Sequence, residues 1–386
     1  MSSMTRTLVL LFATVVVSSR AGAEPLFLAK QYTRCTACHY SPTGGGLLTP
    51  YGRLLSHREL STTGGETAPA ADATDAPHGE QAFLNGVLGD ALGPVHLGLE
   101  MRPSHLRIGF PGGHQDLTLL MNLDLVGAVQ RNGWTAYGTV GREPPHAAVR
   151  AGRTQSNPAF ISYEHWLSYQ TDGGFGIRAG RFLPAYGVRF ADHTTYTRAA
   201  LDLDRNDQVY GVEVSDTVGS SLVQVMVSPG QAEAILHDPA RRGFSAASRW
   251  QRDIGTRATI VGSALYRDRT DVDPRSGLAG GAVGFAPTSR VSIWTEVNGQ
   301  LRTKTAGGHS WVVVNETSVE VYRGIWLKLS PQLRTSGTAG SAGSRRLGLA
   351  ADLLPRTHWN VNVAYNLDRT ARVTTSTLIF QLHLFM

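Results

Sequence analysis

The sequence predicts an all-β fold: a transmembrane antiparallel β-barrel of about sixteen strands, with fourteen as the alternative count, and a small N-terminal segment able to plug its lumen. Three observations predict it. Period-two apolar combs run from about Val95 to Met386. Short and long connections alternate along that stretch. Beyond the first residues, no apolar run is long enough for a transmembrane helix.

The chain opens on an export signal. Arg6 gives a positive start, Leu8 to Val17 is almost wholly apolar, and Ala21-Gly22-Ala23 is an A-x-A cleavage site. The apolar run is too short to span a bilayer, so residues 1–23 are expected to be cleaved off, leaving Glu24 first. Cleavage removes Arg6 and Arg20 and no acid, taking the formal charge from +6 to +4. That charge is mild and no basic run accompanies it, so nucleic acid is not an expected partner. Export without a transmembrane helix leaves the periplasm, the medium or the outer membrane.

Residues 24–60 carry the chemistry. The two cysteines of the chain, Cys35 and Cys38, stand two residues apart with His39 immediately after. C-x-x-C-H is the attachment signature of a c-type haem: each thiol adds to a vinyl group and the adjacent imidazole becomes the proximal iron ligand. A thioredoxin-like redox pair would need a βαβ pattern, which Gln31 to Leu60 lacks. A zinc site would need further ligands, and only His57 is near. The sixth iron ligand stays open. No Met lies between Glu24 and Glu100, which leaves His57, His78 or a barrel histidine such as His193 as candidates. Three glycines, Gly44 to Gly46, follow the motif and suit a tight turn or a close backbone approach to the haem edge. Tyr51-Gly52-Arg53 is a candidate to pack on the macrocycle.

Residues 61–80 lack large apolar side chains and are expected to form a flexible linker. Residues 81–386 form the expected barrel, although Gln81 to Leu92 reads equally as a strand or an introductory segment. Trp359, Val361, Val363, Tyr365 and Leu367 alternate with Asn360, Asn362, Ala364 and Asn366, and similar combs recur at 291–298, 325–330 and 378–386. Tight connections are expected at Arg131-Asn132, Thr171–Gly173, Asp216–Val218, Ala286–Ser289, Tyr322–Gly324 and Pro355-Arg356. Longer ones are expected at Pro103–His114, Arg142–Ala159, Leu183–Asn206, Pro229–Arg241, Leu301–Gly308 and Thr335–Gly343. A soluble sandwich has no reason to alternate loop length in this way, whereas an outer-membrane barrel does. The polar combs, with Asn122, Asp124, Glu296, Glu316, Glu320 and Lys328, face a lumen that holds water or a polar plug. The loop from Gly180 to Asp207 is long, charged and aromatic, and is expected to fold into the lumen, to touch the haem segment, to line an entry for a cation or to stay in solvent.

A haem motif at the mature N-terminus, then a linker, then a barrel resembles the fused monohaem c-type cytochrome–porins of bacterial outer membranes, whose best-known members oxidise extracellular ferrous iron. The resemblance rests on Cys35, Cys38, His39 and the order of parts. It implies a Gram-negative outer-membrane protein, embedded in the lipid bilayer, with one covalent haem c. In that setting the cytochrome segment plugs the barrel and passes electrons from an extracellular donor, ferrous iron, to a periplasmic cytochrome or other carrier. Any iron-oxidase activity would then be electron transfer rather than substrate turnover. The residues leave two other functions open: a diffusion porin with a haem-bearing structural or regulatory plug, and a membrane-confined haem enzyme with an open iron position.

Overall fold

The computed structural model describes residues 25–63, 93–142, 160–204, 207–230, 243–268, 275–302, 308–335 and 343–385. The expected signal peptide, most of the linker with His78, the segment from Gln81 to Leu92 and the last residue lie outside them.

Seventeen strand segments follow in chain order: β1 (Val95–Phe110), β2 (Gly113–Arg131), β3 (Trp134–Arg142), β4 (Phe160–Ile161), β5 (His165–Gln170), β6 (Gly176–Phe182), β7 (Val209–Val218), β8 (Ser221–Ser228), β9 (Phe244–Ile254), β10 (Ala258–Asp268), β11 (Arg275–Thr288), β12 (Val291–Arg302), β13 (His309–Tyr322), β14 (Ile325–Arg334), β15 (Ser344–Leu353), β16 (Trp359–Arg369) and β17 (Thr374–Phe385). β4 and β5 both pair with β3, so they form one interrupted stave and the barrel has sixteen. Each stave runs antiparallel to its neighbours, and β1 pairs with both β2 and β17, which closes the sheet.

Closure satisfies every edge, and the side chains are sorted inside out. In β8, Val223, Val225 and Val227 are 42–50% exposed while Gln224, Met226 and Ser228 are at most 3% exposed. Exposed apolar residues beside buried polar ones mean that lipid, not water, faces the outer wall. Aromatic residues mark both ends of the wall, with Trp134, Tyr322 and Trp359 at the short-turn end and Phe160, Phe244, Tyr266 and Trp311 at the other.

The expected alternation of connections holds with one correction. Pro103–His114 is not a long loop: β1 continues to Phe110 and turns through Pro111-Gly112 into β2. A register shift opposite Arg102 and Pro103 leaves Met121 unpaired and reverses the facing of β2 alone, so that Asp116 joins His105 and Arg107, which keep the outward parity of β1, as exposed polar residues. Beyond the lipid an outer face has no need to be apolar, so the apolar comb that marks a membrane strand is missing there.

Residues 25–63 sit inside the barrel. They form a 3-10 turn at Pro25–Leu28, a second at Cys35–Ala37, a short helix at Pro50–Leu55 and a π turn at Ser56–Leu60. Pro50 opens the helix, and the Thr49 hydroxyl caps it by accepting from the Gly52 amide at 3.1 Å. Leu26, Leu28, Tyr40, Leu47 and Leu60 share one buried cluster with Val126, Tyr137, Trp166, Trp294 and Trp326 of the wall. The inward tryptophans thus form an apolar floor within a polar lumen, and this segment covers it.

Candidate functional site

The plug is fastened to the short-turn end of the barrel. Arg34 donates to the Thr217 hydroxyl at 3.2 Å and to the Gly219 carbonyl at 3.3 Å, in the β7–β8 turn. Thr62 donates from its amide to the Leu354 carbonyl at 2.8 Å and from its hydroxyl to the Pro355 carbonyl at 2.9 Å, in the β15–β16 turn. Arg323, in the β13–β14 turn, donates to the carbonyls of Ser61 and Arg58. Deeper in the lumen, Lys30 pairs with Glu320 at 2.6 Å, the Ser41 hydroxyl donates to Glu164 at 3.1 Å, and Gln251 donates to the Thr33 carbonyl at 3.0 Å.

The C-x-x-C-H residues form a single turn within this plug. The amides of Cys38 and His39 both donate to the Cys35 carbonyl, at 3.1 and 2.8 Å. Cys38 is buried with Leu48 and Leu55, beside Tyr32 and Phe385, while Cys35 borders an open cleft. His39 is bridged to Leu48 through the backbone, and its Nδ1 is buried without a hydrogen-bond partner. Burial lowers the imidazole pKa to about 4, and the nearby Arg189 cation adds to this. The ring is therefore neutral at pH 7, the state in which a histidine binds a metal.

Three consecutive left-handed residues fold over this turn. Gly44, Gly45 and Gly46 have φ of +78°, +76° and +64°. A Cβ on Gly44 would lie 3.0 Å from the Cys35 sulfur, one on Gly45 would lie 3.1 Å from the Arg189 guanidinium, and one on Gly46 would overlap the Tyr137 hydroxyl. The glycine run is thus a close approach on three sides. Gly52 is pressed against the Cys38 carbonyl in the same way.

The long loop after β6 folds into the lumen and closes on the plug from the opposite side. Arg189 donates to the carbonyls of Thr43 and Gly44. Tyr186 donates to Asn298 at 2.9 Å, the Gly187 amide to Ser263 at 2.9 Å, and Arg249 to the Gly187 carbonyl at 2.9 Å. Further along, Arg267 holds the carbonyls of Leu201 and Asp202, and Arg346 holds Thr194. Between plug, loop and wall lies a cleft of about 730 Å³, open solvent included, bordered by Cys35, Arg34, Arg189, Arg198, Arg249 and Glu296 among others.

Two of the three candidate sixth ligands lie among the described residues. His57 shares a hydrogen bond of 2.9 Å between its Nδ1 and the Thr357 hydroxyl, at the short-turn end. His193 lies in the infolded loop, where burial lowers its pKa against the opposing pull of Asp204 and Asp192. Neither borders the cleft beside Cys35. Among the described residues, no group of three or more His, Cys, Asp or Glu is placed to hold a metal ion. Arg249, Glu164 and Tyr137 belong to the site although the motif does not point to them. Their inward parity on the strands is the signal that could have found Arg249 and Tyr137.

No family model matches the chain, and no curated protein sequence is significantly similar to it. Solved structures are similar in fold. OprB of Pseudomonas putida superposes with a TM-score of 0.59 at 8% identity, over 78% of this chain and 96% of its own. A loop-deletion form of OmpT, an outer-membrane protein of Vibrio cholerae, gives 0.56 at 10% identity, over 76% of this chain and 99% of its own. The outer-membrane channel DcaP of Acinetobacter baumannii gives 0.53 at 10% identity, over 75% and 97%. The fold is that of the outer-membrane porins. The lipid-facing band of this porin fold agrees with an outer-membrane location.

Proposed function

We propose that this protein is an outer-membrane electron conduit: a porin-fold barrel whose N-terminal plug carries one covalent haem c and passes electrons between an extracellular donor and a periplasmic carrier. The observation that carries the reading is the position of the C-x-x-C-H turn, inside the lumen rather than on a separate soluble domain. Wall residues that would line an open pore, among them Glu213, Gln224, Glu296, Asn298 and Asp352, are at most 3% exposed, so plug and loop occupy the space a solute would use.

The residues fit the haem. Two thiols and an imidazole share one helical turn, the His39 Nδ1 is buried and unsatisfied, and the glycine run lets backbone lie against Cys35. Cys35 and Cys38 would hold the group and His39 would bind its iron; the bound haem supplies one-electron chemistry. The surrounding chain buries Cys38 and the His39 Nδ1 and fixes the turn in place. The apolar band of such a barrel is about 25 Å tall, so one haem cannot line the whole path. The plug's fastening to the short turns, the periplasmic end of such a barrel, supports a periplasmic carrier as its partner, with an external donor approaching through the loops. Ferrous iron as that donor follows from the family resemblance alone.

A second reading is favoured by the fold comparisons: a diffusion porin whose haem-bearing plug is structural or regulatory. DcaP is described as a channel, and a porin from Comamonas acidovorans with a TM-score of 0.52 at 10% identity is described as anion-selective. One preparation separates the two readings. The purified protein is stained for covalent haem, mixed anaerobically with ferrous iron while the haem bands are followed, and reconstituted in liposomes. The conduit reading expects covalent haem, reduced bands and no passage of sugars. Free sugar passage with unreduced haem would establish the porin reading instead. Replacing Cys35 and Cys38 with Ser should abolish covalent haem and leave the barrel inserted.

A further inference from the structure

The cleft beside Cys35 is unusual in charge. Four arginines border it and Glu296 is the acidic residue among its lining residues. They come from three separate parts of the fold: Arg34 from the plug, Arg189 and Arg198 from the infolded loop, and Arg249 from β9. Their partners are mostly neutral. Arg34 donates to Thr217 and Gly219, Arg189 to the carbonyls of Thr43 and Gly44, and Arg249 to Gly187, Gln224 and Gln251. Among the described residues only Arg198 of the four stands in an ion pair, with Asp204 at 3.5 Å. The Nε atoms of Arg34 and Arg198 are buried with no acceptor, and Arg198 is 7% exposed.

We infer that this cleft binds carboxylate groups. Leaving buried guanidinium N–H groups without acceptors is costly, and a carboxylate supplies two oxygens that match the guanidinium fork. Asp204 pairs with Arg198, and Asp253, Glu213 and Glu296 offset part of the charge on Arg34 and Arg249, while Arg189 has no carboxylate within ion-pair distance among the described residues. Two sources share this chemistry. One is the pair of propionates on a haem attached at Cys35, which rests on the conduit reading above. The other is a small free dicarboxylate inside the barrel, which does not.

The test has an arm for each source. In the first, wild type, the double variant Arg34→Gln/Arg198→Gln and the double variant Arg34→Lys/Arg198→Lys are purified as full chains, checked for the heat-modifiable gel shift of a folded barrel, and titrated potentiometrically. Removing two cations beside the propionates should favour oxidised haem at least tenfold at fixed potential, equivalent to 59 mV for one electron. The Lys variant should recover most of that shift. In the second arm the same changes are made in a Cys35→Ser/Cys38→Ser background without haem, and succinate binding is measured by calorimetry. Here the Gln pair should weaken succinate at least tenfold, and the Lys pair less. Arg346→Gln, which loosens the loop away from the cleft, serves as control and should move neither readout. A shift in the first arm alone assigns the cleft to the propionates, and a loss in the second alone assigns it to a free solute. No response in either arm, or an equal response from Arg346→Gln, overturns the proposal. Absence of covalent haem in wild type would sink the conduit reading while leaving the second arm decisive for the cleft.

Discussion

At the scale of single residues, the plug depends on backbone that only glycine adopts without cost. Gly46 combines a φ of +64° with direct pressure on the Tyr137 hydroxyl, which is also within 3.4 Å of the Leu47 amide. An L-residue in this region costs roughly 1–2 kcal/mol before any clash. Gly46→Ala should therefore weaken plug docking by at least that amount while the barrel still folds. Limited proteolysis of the plug against an unchanged heat-modifiable band would measure it. Asp207, in the loop before β7, carries a second residue-scale prediction. Burial raises its pKa to about 6, with Asp202 adding to the effect. A carboxyl raised above its unfolded value binds protons more tightly when folded. Loop stability is therefore full below about pH 4 and falls as pH rises toward 6, by at most about 1.4 kcal/mol per pH unit. Asp207→Asn keeps an acceptor for the Asp204 amide and should flatten that dependence, as read by proteolysis of the loop between pH 4 and 7.

At the scale of elements, the plug and the infolded loop are held by different means. The plug presents apolar side chains to Trp166, Trp294 and Trp326 and is locked by Lys30–Glu320, with Lys30 also 5.6 Å over the Trp326 ring. Removing one partner of a buried pair leaves the other uncompensated, at a cost of about 3–5 kcal/mol. Glu320→Ala should therefore release the plug more readily than Lys30→Met/Glu320→Leu, in which both charges are gone. Accessibility of Cys35 to a membrane-impermeant thiol reagent in apoprotein would rank the two. The loop instead hangs from backbone carbonyls held by arginines of the wall, at Gly187, Leu201 and Asp202. Its length and its run of arginines and tyrosines were visible in the sequence, and so was the option of folding inward. Its partners on β9, β10 and β12 were not, because they lie 60 to more than 100 residues away and no local pattern links them.

At the scale of the whole molecule, a barrel of sixteen staves is wide enough to leave an aqueous channel, and here two chain segments occupy it. Deleting residues 25–63 should leave an inserted barrel with clearly raised single-channel conductance in planar bilayers. Unchanged conductance would mean that the infolded loop alone blocks the path. Both chain ends of the barrel, at Val95 and Phe385, lie at the short-turn end, as an even number of staves requires, and the plug enters from that same end.

The sequence alone determined the barrel strands and the grouping of the motif's residues. Strand periodicity is local, since successive side chains face opposite sides and lipid selects apolar residues on one of them. The motif is local as well, because five adjacent residues bring two thiols and an imidazole onto one turn. Pattern reading failed at Pro103–His114, where the hairpin rises past the lipid and its outward residues need not be apolar. Only the tertiary structure decided that the C-x-x-C-H turn lies within the lumen and that four arginines from distant segments meet beside Cys35. Those are consequences of closing the sheet: closure fixes which inward side chains face one another across the barrel, and no spacing along the chain encodes that.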